Sequence, residues 1–407
     1  MPFMRRCDRL EVIGKRLAGI YIHIPFCKSR CKYCDFFSTT HLEKQAQYVQ
    51  ALLVEIQDRL SIPNNQYPIA NTQYPIPNTQ YPITNNQYPI SNNQYPISTI
   101  YIGGGTPSTL QVEHLRAIVE AIRREAKGER QEITLEANPG DITQEKARAW
   151  RAMGINRLSI GVQSFEDELL QLIGRRHNAE QARQAVAIAQ AAGFDNISID
   201  LMYALPSQTM QHWQHDVAQA LQLNVQHIST YGLIYEEGTA LTTLLDHGVV
   251  EAVDEETEMQ MYDYLVEQLT ANGYIHYEVS NFALPNCESK HNSSYWNDTP
   301  YIGLGAGAHS YNGQQRQWNI SDLDTYIQQA NAHQLQPQIE QLTDEQRHIE
   351  RIMLGLRTRH GVAANEIPMH KAQGYINRGL LSAQGNRIVA TTQGYHILNT
   401  IIEDLLT

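Results

Sequence analysis

Over the first 255 residues, short apolar runs alternate with longer stretches of helical periodicity. IYIHI at 20–24 is rich in β-branched residues and predicts a buried strand. Residues 42–60 predict a helix, and STIYIGG a second strand ending at Ile102. A helix over 112–126, a strand over 133–138 and a helix over 144–153 continue the alternation. RLSIGVQS at 157–164 is a fourth strand, and an alanine-rich helix over 179–192 closes on Gly193, a glycine suited to a helix C-cap. NISIDLMY and HISTYGL supply a fifth and a sixth strand. Repeated βα units point to a parallel sheet or a barrel, whose working residues lie at the C-terminal strand ends. Cys27, Gly103, Gly104, Gly105, Glu136, Gln163 and Asp200 all fall at or just past such ends.

Two regions break this pattern. In residues 62–97 a QYPI unit recurs, with Tyr67, Tyr74, Tyr81, Tyr88 and Tyr95 spaced seven apart and no charged residue. Each unit carries a proline, which excludes a coiled coil. The composition predicts an extended or disordered loop, a tolerated insertion rather than a partner-binding arm. Beyond 255 the pattern also changes. A helix is expected over 255–272, then a polar, aromatic and glycine-rich stretch over 274–318. The tail, 322–407, mixes short helices with a hairpin turning at Gly385 and Asn386, and resembles a small winged-helix-like module. The expected organisation is an N-terminal extension (1–18), a βα domain (19–255) carrying the 62–97 insertion, and a smaller C-terminal domain (256–407).

Charge narrows the function. With 43 acidic and 31 basic residues among 407, the net charge is −12, which disfavours nucleic acid as a partner. No apolar run approaches transmembrane length, and the first residues lack a signal-peptide core, so a cytoplasmic protein without a transmembrane segment is expected. The five cysteines are odd in number, which argues against a disulfide scaffold. Cys7 and Cys287 stand apart, while Cys27, Cys31 and Cys34 form a C-x3-C-x2-C run. Three thiolates on one loop can hold three corners of a [4Fe–4S] cluster and leave one iron open to a small molecule. Zinc, with His23 or His41 as a fourth ligand, and plain thiols remain open on spacing alone. Lys28, Arg30 and Lys32 can offset negative charge there.

A C-x3-C-x2-C loop just after the first strand resembles the signature of the radical S-adenosylmethionine (SAM) superfamily. YIHIPFCKSRCKYCDF extends the likeness to the branch containing oxygen-independent coproporphyrinogen III oxidases and the HemW-type heme chaperones. The resemblance runs over about residues 19–405, the insertion apart. It implies a partial (β/α)6 TIM-like barrel with a smaller C-terminal α+β domain, a [4Fe–4S] cluster on Cys27, Cys31 and Cys34, and bound SAM. It also implies SAM-site roles for Gly104, Gly105 and Thr106 in the GGGTP segment, and for Glu136, Gln163, Arg175 and Asp200. Tyr21 and Tyr33 match positions flanking the cluster and SAM.

The oxidases carry one more cysteine two residues past the third. Phe36 stands there in this chain. His291, Asn292, Ser293, Ser294, Tyr295 and Trp296 form an HNxxYW pattern that resembles the chaperone branch's heme-associated motif. Imidazole is a common axial ligand of heme iron, and aromatic side chains can line a porphyrin face. The expectation is therefore that His291, Tyr295 and Trp296 contact heme, with weaker claims for His23, His276, His309 and Cys287. The function implied is heme delivery to acceptor hemoproteins, membrane hemoproteins among them. The alternative is radical decarboxylation of coproporphyrinogen III to protoporphyrinogen IX, for which the missing cysteine is the objection.

Overall fold

A computed structural model describes residues 18–60, 96–126 and 131–407. Residues 1–17, with Cys7, and the QYPI repeats as far as residue 95 lie outside the described residues. Six parallel strands stand side by side in chain order: β1 (Ala18–Ile24), β2 (Ile97–Gly104), β3 (Glu132–Ala137), β4 (Arg157–Gln163), β5 (Ile197–Tyr203) and β6 (His227–Gly232). Helices α1 (Gln45–Leu60), α2 (Val112–Glu125), α3 (Gln144–Ala152), α4 (Asp167–Leu172), α5 (Ala179–Ala191) and α6 (Met210–Gln222) lie in the connections between them. The expected strands and helices agree with these to within a few residues, and Gly193 closes α5 at φ +89.

Side chains alternate across a strand, and here the alternation separates two environments. One parity is aliphatic and enters the main core: Ile20, Ile22 and Ile24, then Ile133 and Leu135, Leu158 and Ile160, Ile197 and Ile199. The other parity is polar or aromatic, including Tyr21, His23, Tyr101, Thr134, Glu136, Arg157, Ser159, Ser198, Asp200, His227 and Ser229. The concave side of the sheet is thus a polar lumen, and the aliphatic side carries the helices.

The sheet does not stop at residue 255. After α7 (Ala240–Asp246) and α8 (Glu255–Ala271), β7 (Ile275–Glu278) and β8 (Asn281–Ala283) form a hairpin on β6. Following α9 (Lys290–Tyr295), β9 (Tyr301–Leu304) runs parallel to β1, and β10 (His309–Tyr311), β11 (Gln315–Trp318) and, past α10 (Leu323–Asn331), β12 (Gln338–Gln341) add antiparallel strands. The stretch over 274–318 therefore supplies both flanks of a twelve-stranded sheet with β12 and β7 at its edges. A separate module follows, in which α11 (Asp344–Gly355), α12 (Met369–Asn377), α13 (Thr392–His396) and α14 (Leu398–Leu406) accompany a three-stranded sheet of β13 (Val362–Ala363), β14 (Leu381–Gln384) and β15 (Arg387–Ala390). Its core, with Leu356, Ile388 and Ile401, is distinct from the main one. The hairpin turns at Gly385, φ +63, as expected. No helix among the described residues is long and apolar enough to cross a membrane.

A buried polar lock ties β9 to α1. Glu55 accepts from the Gly305 amide (2.8 Å), Tyr326 Oη (2.7 Å), Asn319 Nδ2 (2.8 Å) and Arg59 (3.2 Å). Arg59 donates onward to the Gly303 carbonyl (2.6 Å) and Ser310 Oγ (3.1 Å). Both side chains are fully buried. Removing one partner strands the other charge, at a cost of about 3–5 kcal/mol. Glu55→Leu is expected to destabilise by that amount in urea denaturation, and Glu55→Leu/Arg59→Met to recover part of it. A loss below about 1 kcal/mol in the single variant would show that the lock does not hold the flank.

Candidate functional site

The three clustered cysteines leave β1 on a loop fixed by backbone hydrogen bonds. The Cys27 amide donates to the Thr39 carbonyl (2.9 Å), the Thr39 amide to Pro25 (2.7 Å), and the Lys32 amide to Ile173 (3.0 Å). The end of β2 lies against this loop, with the amides of Gly105 and Thr106 donating to Ile24 (2.9 Å) and Phe26 (2.8 Å). A Cβ at Gly105 would stand 2.8 Å from the Pro25 carbonyl carbon, and one at Gly104 (φ +111) would stand 2.5 Å from His23 Nδ1. Only glycine fits so close an approach.

Cys27, Cys31 and Cys34 are free thiols at the mouth of a cavity of about 450 Å³. Thr106 Oγ1 lies 3.3 Å from Cys27 Sγ, and Arg175 Nη1 donates to Cys31 Sγ at 3.3 Å. Burial pushes the Cys27 and Cys34 thiols up. Among the described residues the three sulfurs do not all lie within 4.8 Å of one another, the convergence a single ion requires. His23 has both ring nitrogens engaged, by Tyr21 Oη (3.0 Å) and the Phe37 carbonyl (2.9 Å), while His41 pairs with Glu43 on the surface. Among the described residues neither histidine is free to complete a zinc site, and three thiols on one loop fit a three-cornered cluster. Lys28 does not face the sulfurs: it pairs with Asp141 at 2.7 Å, as Arg176 does at 3.1 Å.

The same cavity is lined by Tyr33, Gly104, Gly105, Thr106, Glu136, Gln163, Arg175, Asp200 and, at its lip, Phe36. Sequence-predicted residues from four strands and three loops therefore meet in one place. Glu136 accepts from Tyr101 Oη (2.8 Å) and the Gly104 amide (3.0 Å). Burial still pushes its carboxyl up to about 7, and raises Asp200, held by Ser159 Oγ at 3.2 Å, to about 6. Arg175 also donates to the Gly161 carbonyl (2.5 Å). Gln163 sits at φ +70 where the β4–β5 pairing slips, a strained conformation of the kind that gathers at working sites. Asp200 lies in mid-strand rather than at a strand end. Tyr21 is not part of this lining, because its ring packs on Tyr101 and its hydroxyl faces His23. Tyr101, Ser159 and Arg157 were not anticipated, although the alternation of polar positions on β2 and β4 marks them.

His291, expected to contact heme, turns toward the sheet in this structure. Its ring is fully buried, with Nδ1 2.8 Å from Thr99 Oγ1 and Nε2 2.8 Å from Tyr295 Oη, and it stacks on Tyr101. Burial lowers it to about 3, so it is neutral, and both ring nitrogens have hydrogen-bond partners here. His291 and Tyr295 instead brace α9 against β2. Ser293 and Trp296, on the other face of α9, line a second cavity of about 530 Å³. His276 stacks on Phe282, and His309 stacks on Trp318.

An open parallel sheet with a polar lumen and three thiols at its mouth defines a radical SAM protein, and the radical SAM superfamily matches residues 88–220. The chain is 35% identical over 399 residues to a Lactococcus lactis protein named heme chaperone HemW, covering 95% of this chain and 96% of that one. It is 37% identical to the Bacillus subtilis protein of that name, over 85% of each. It is 31% identical to the Bos taurus mitochondrial radical S-adenosyl methionine domain-containing protein 1, covering 88% of this chain and 72% of that one. Among solved structures, coproporphyrinogen III oxidase (HemN) from Escherichia coli superimposes with a TM-score of 0.76 at 21% identity, over 97% of this chain and 91% of that one, which shows a common fold. The chain belongs to the HemW family of the radical SAM superfamily.

The raised Glu136 carboxyl has a consequence for the protein without cofactors. A buried acid held protonated favours folding fully below its ordinary 4.5, and that contribution is lost as pH rises through about 7. Glu136→Gln removes this dependence. The stability of the variant relative to the parent is expected to rise between pH 4.5 and 7.5 in denaturant titrations. Parallel profiles would mean that Glu136 ionises in its ordinary range.

Proposed function

We propose that this chain is a cytoplasmic heme chaperone, binding heme and passing it to acceptor hemoproteins. The near end-to-end likeness to the Lactococcus lactis heme chaperone carries the reading. Phe36, exposed at the lip where coproporphyrinogen III oxidases have a cysteine, speaks against the oxidase alternative.

In this reading Cys27, Cys31 and Cys34 hold a [4Fe–4S] cluster, and SAM lies in the cavity beneath them. The pair supplies one-electron chemistry when bound. The chain's own residues bind and orient. Gly104 and Gly105, packed on His23 and Pro25, would hold the methionine end of SAM through their backbone, and Thr106 stands beside Cys27. The Glu136 carboxylate, fixed by Tyr101 and Gly104, accepts hydrogen bonds from an amino or hydroxyl group. Gln163 and Asp200 supply further polar contacts, and Arg175 places a positive charge on Cys31 and Tyr33. Residues 19–255 form the cofactor-holding unit, and 256–407 complete its flanks and carry the small module.

Anaerobically purified protein is expected to hold about four iron and four sulfide per chain, lost together in a Cys27→Ala/Cys31→Ala/Cys34→Ala variant. It is also expected to take up hemin stoichiometrically and to make no protoporphyrinogen IX from coproporphyrinogen III, SAM and a reductant. Failure to bind hemin, or steady conversion of coproporphyrinogen, would overturn the reading.

A further inference from the structure

The second cavity lies between α9 and the C-terminal module. At about 530 Å³ it is within the range of about 300–1,000 Å³ typical of small-molecule sites. Trp296, Tyr277, Leu354 and Val362 supply apolar and aromatic wall. Its lining carries three guanidinium groups, Arg351, Arg359 and Arg387, and four acids, Glu278, Glu288, Asp298 and Glu366. Two are loosely held: Arg351 pairs with Glu366 and Arg359 with Glu288, each at 3.4 Å between partly exposed side chains. Such exposed pairs are weak and exchange readily for another carboxylate.

One histidine lines this cavity. His360 follows Arg359 on the turn between α11 and β13, and its backbone is fixed by the Thr358 hydroxyl and by Arg387, which donates to the His360 carbonyl. Its ring nitrogens make no hydrogen bond among the described residues. Burial and the neighbouring Arg359 and Arg387 lower its pKa, keeping the imidazole neutral, the form that binds iron. An apolar wall, an imidazole with no hydrogen bond, and two arginines that can exchange Glu366 and Glu288 for propionates suit an iron porphyrin.

We infer that heme docks in this cleft, with His360 as its axial ligand, Trp296 against the porphyrin and Arg351 and Arg359 on the propionates. The inference rests on the heme-chaperone reading and assigns its cargo site. It also divides the HNSSYW segment by face: His291 and Tyr295 anchor α9 to the sheet, while Trp296 on the opposite face meets the cargo. The imidazole comes from the C-terminal module, so cargo would bridge the two hydrophobic cores.

The test compares hemin with iron-free protoporphyrin IX on full-length cluster-loaded protein, in the parent, His360→Ala and His370→Ala, the last altering an exposed histidine outside the cleft. His360→Ala is expected to weaken hemin binding at least about tenfold and to remove the imidazole-ligated Soret and EPR signature. Its protoporphyrin IX affinity should stay within about twofold of the parent, and added imidazole should restore the spectrum. Iron content and circular dichroism report that the variant is folded. If the parent binds hemin and His360→Ala keeps its spectrum and affinity, or loses both porphyrins equally, the site assignment falls while the chaperone reading stands. If the parent binds no hemin, the chaperone reading itself falls, and the site with it.

Discussion

The cysteine loop is held by backbone lying directly on backbone. The amides of Gly105 and Thr106 reach the carbonyls of Ile24 and Phe26, which a side chain at either Gly104 or Gly105 would prevent. From this contact the rest of the site follows. It sets Thr106 beside Cys27, turns the Gly104 amide toward Glu136, and brings the loop within reach of Arg175.

The lumen is the second constraint. Aliphatic residues fill one side of each parallel strand, which frees the other side for polar groups without cost to the core. Glu136 and Asp200 are buried together, and burial drives both upward. Arg157 opposes that shift. It is fully buried at the start of β4 and makes no side-chain hydrogen bond among the described residues, so its charge acts on the two carboxyls through the low-dielectric lumen. The sheet thus carries its own electrostatic balance beneath the cavity.

Much of this was legible from residue order. The βα alternation, the Cys27–Cys34 loop and the glycines after β2 are local signals, and Gly385 marked the hairpin. The flanks were not legible, because β7 to β11 are strands of three or four residues whose pairing with β6 and β1 is long-range. His291 shows the limit of a motif. The HNxxYW resemblance pointed to a heme contact, but a motif does not say which face of α9 turns inward. In this structure Thr99 and Tyr295 engage both nitrogens, which braces α9 against β2. Tyr21 likewise sits on the right strand but turns to His23. Cys7 and the tyrosine repeats up to residue 95 fall outside the described residues.

The central claim is that the chain hands its heme on. The direct measurement is to load the cluster-containing protein with hemin, remove the excess, add an apo-hemoprotein, and follow the acceptor's Soret band with time. The account predicts that the acceptor gains heme as the donor loses it, at equal stoichiometry. Heme that stays on the chain indefinitely while the acceptor remains empty, though competent toward free hemin, would contradict it.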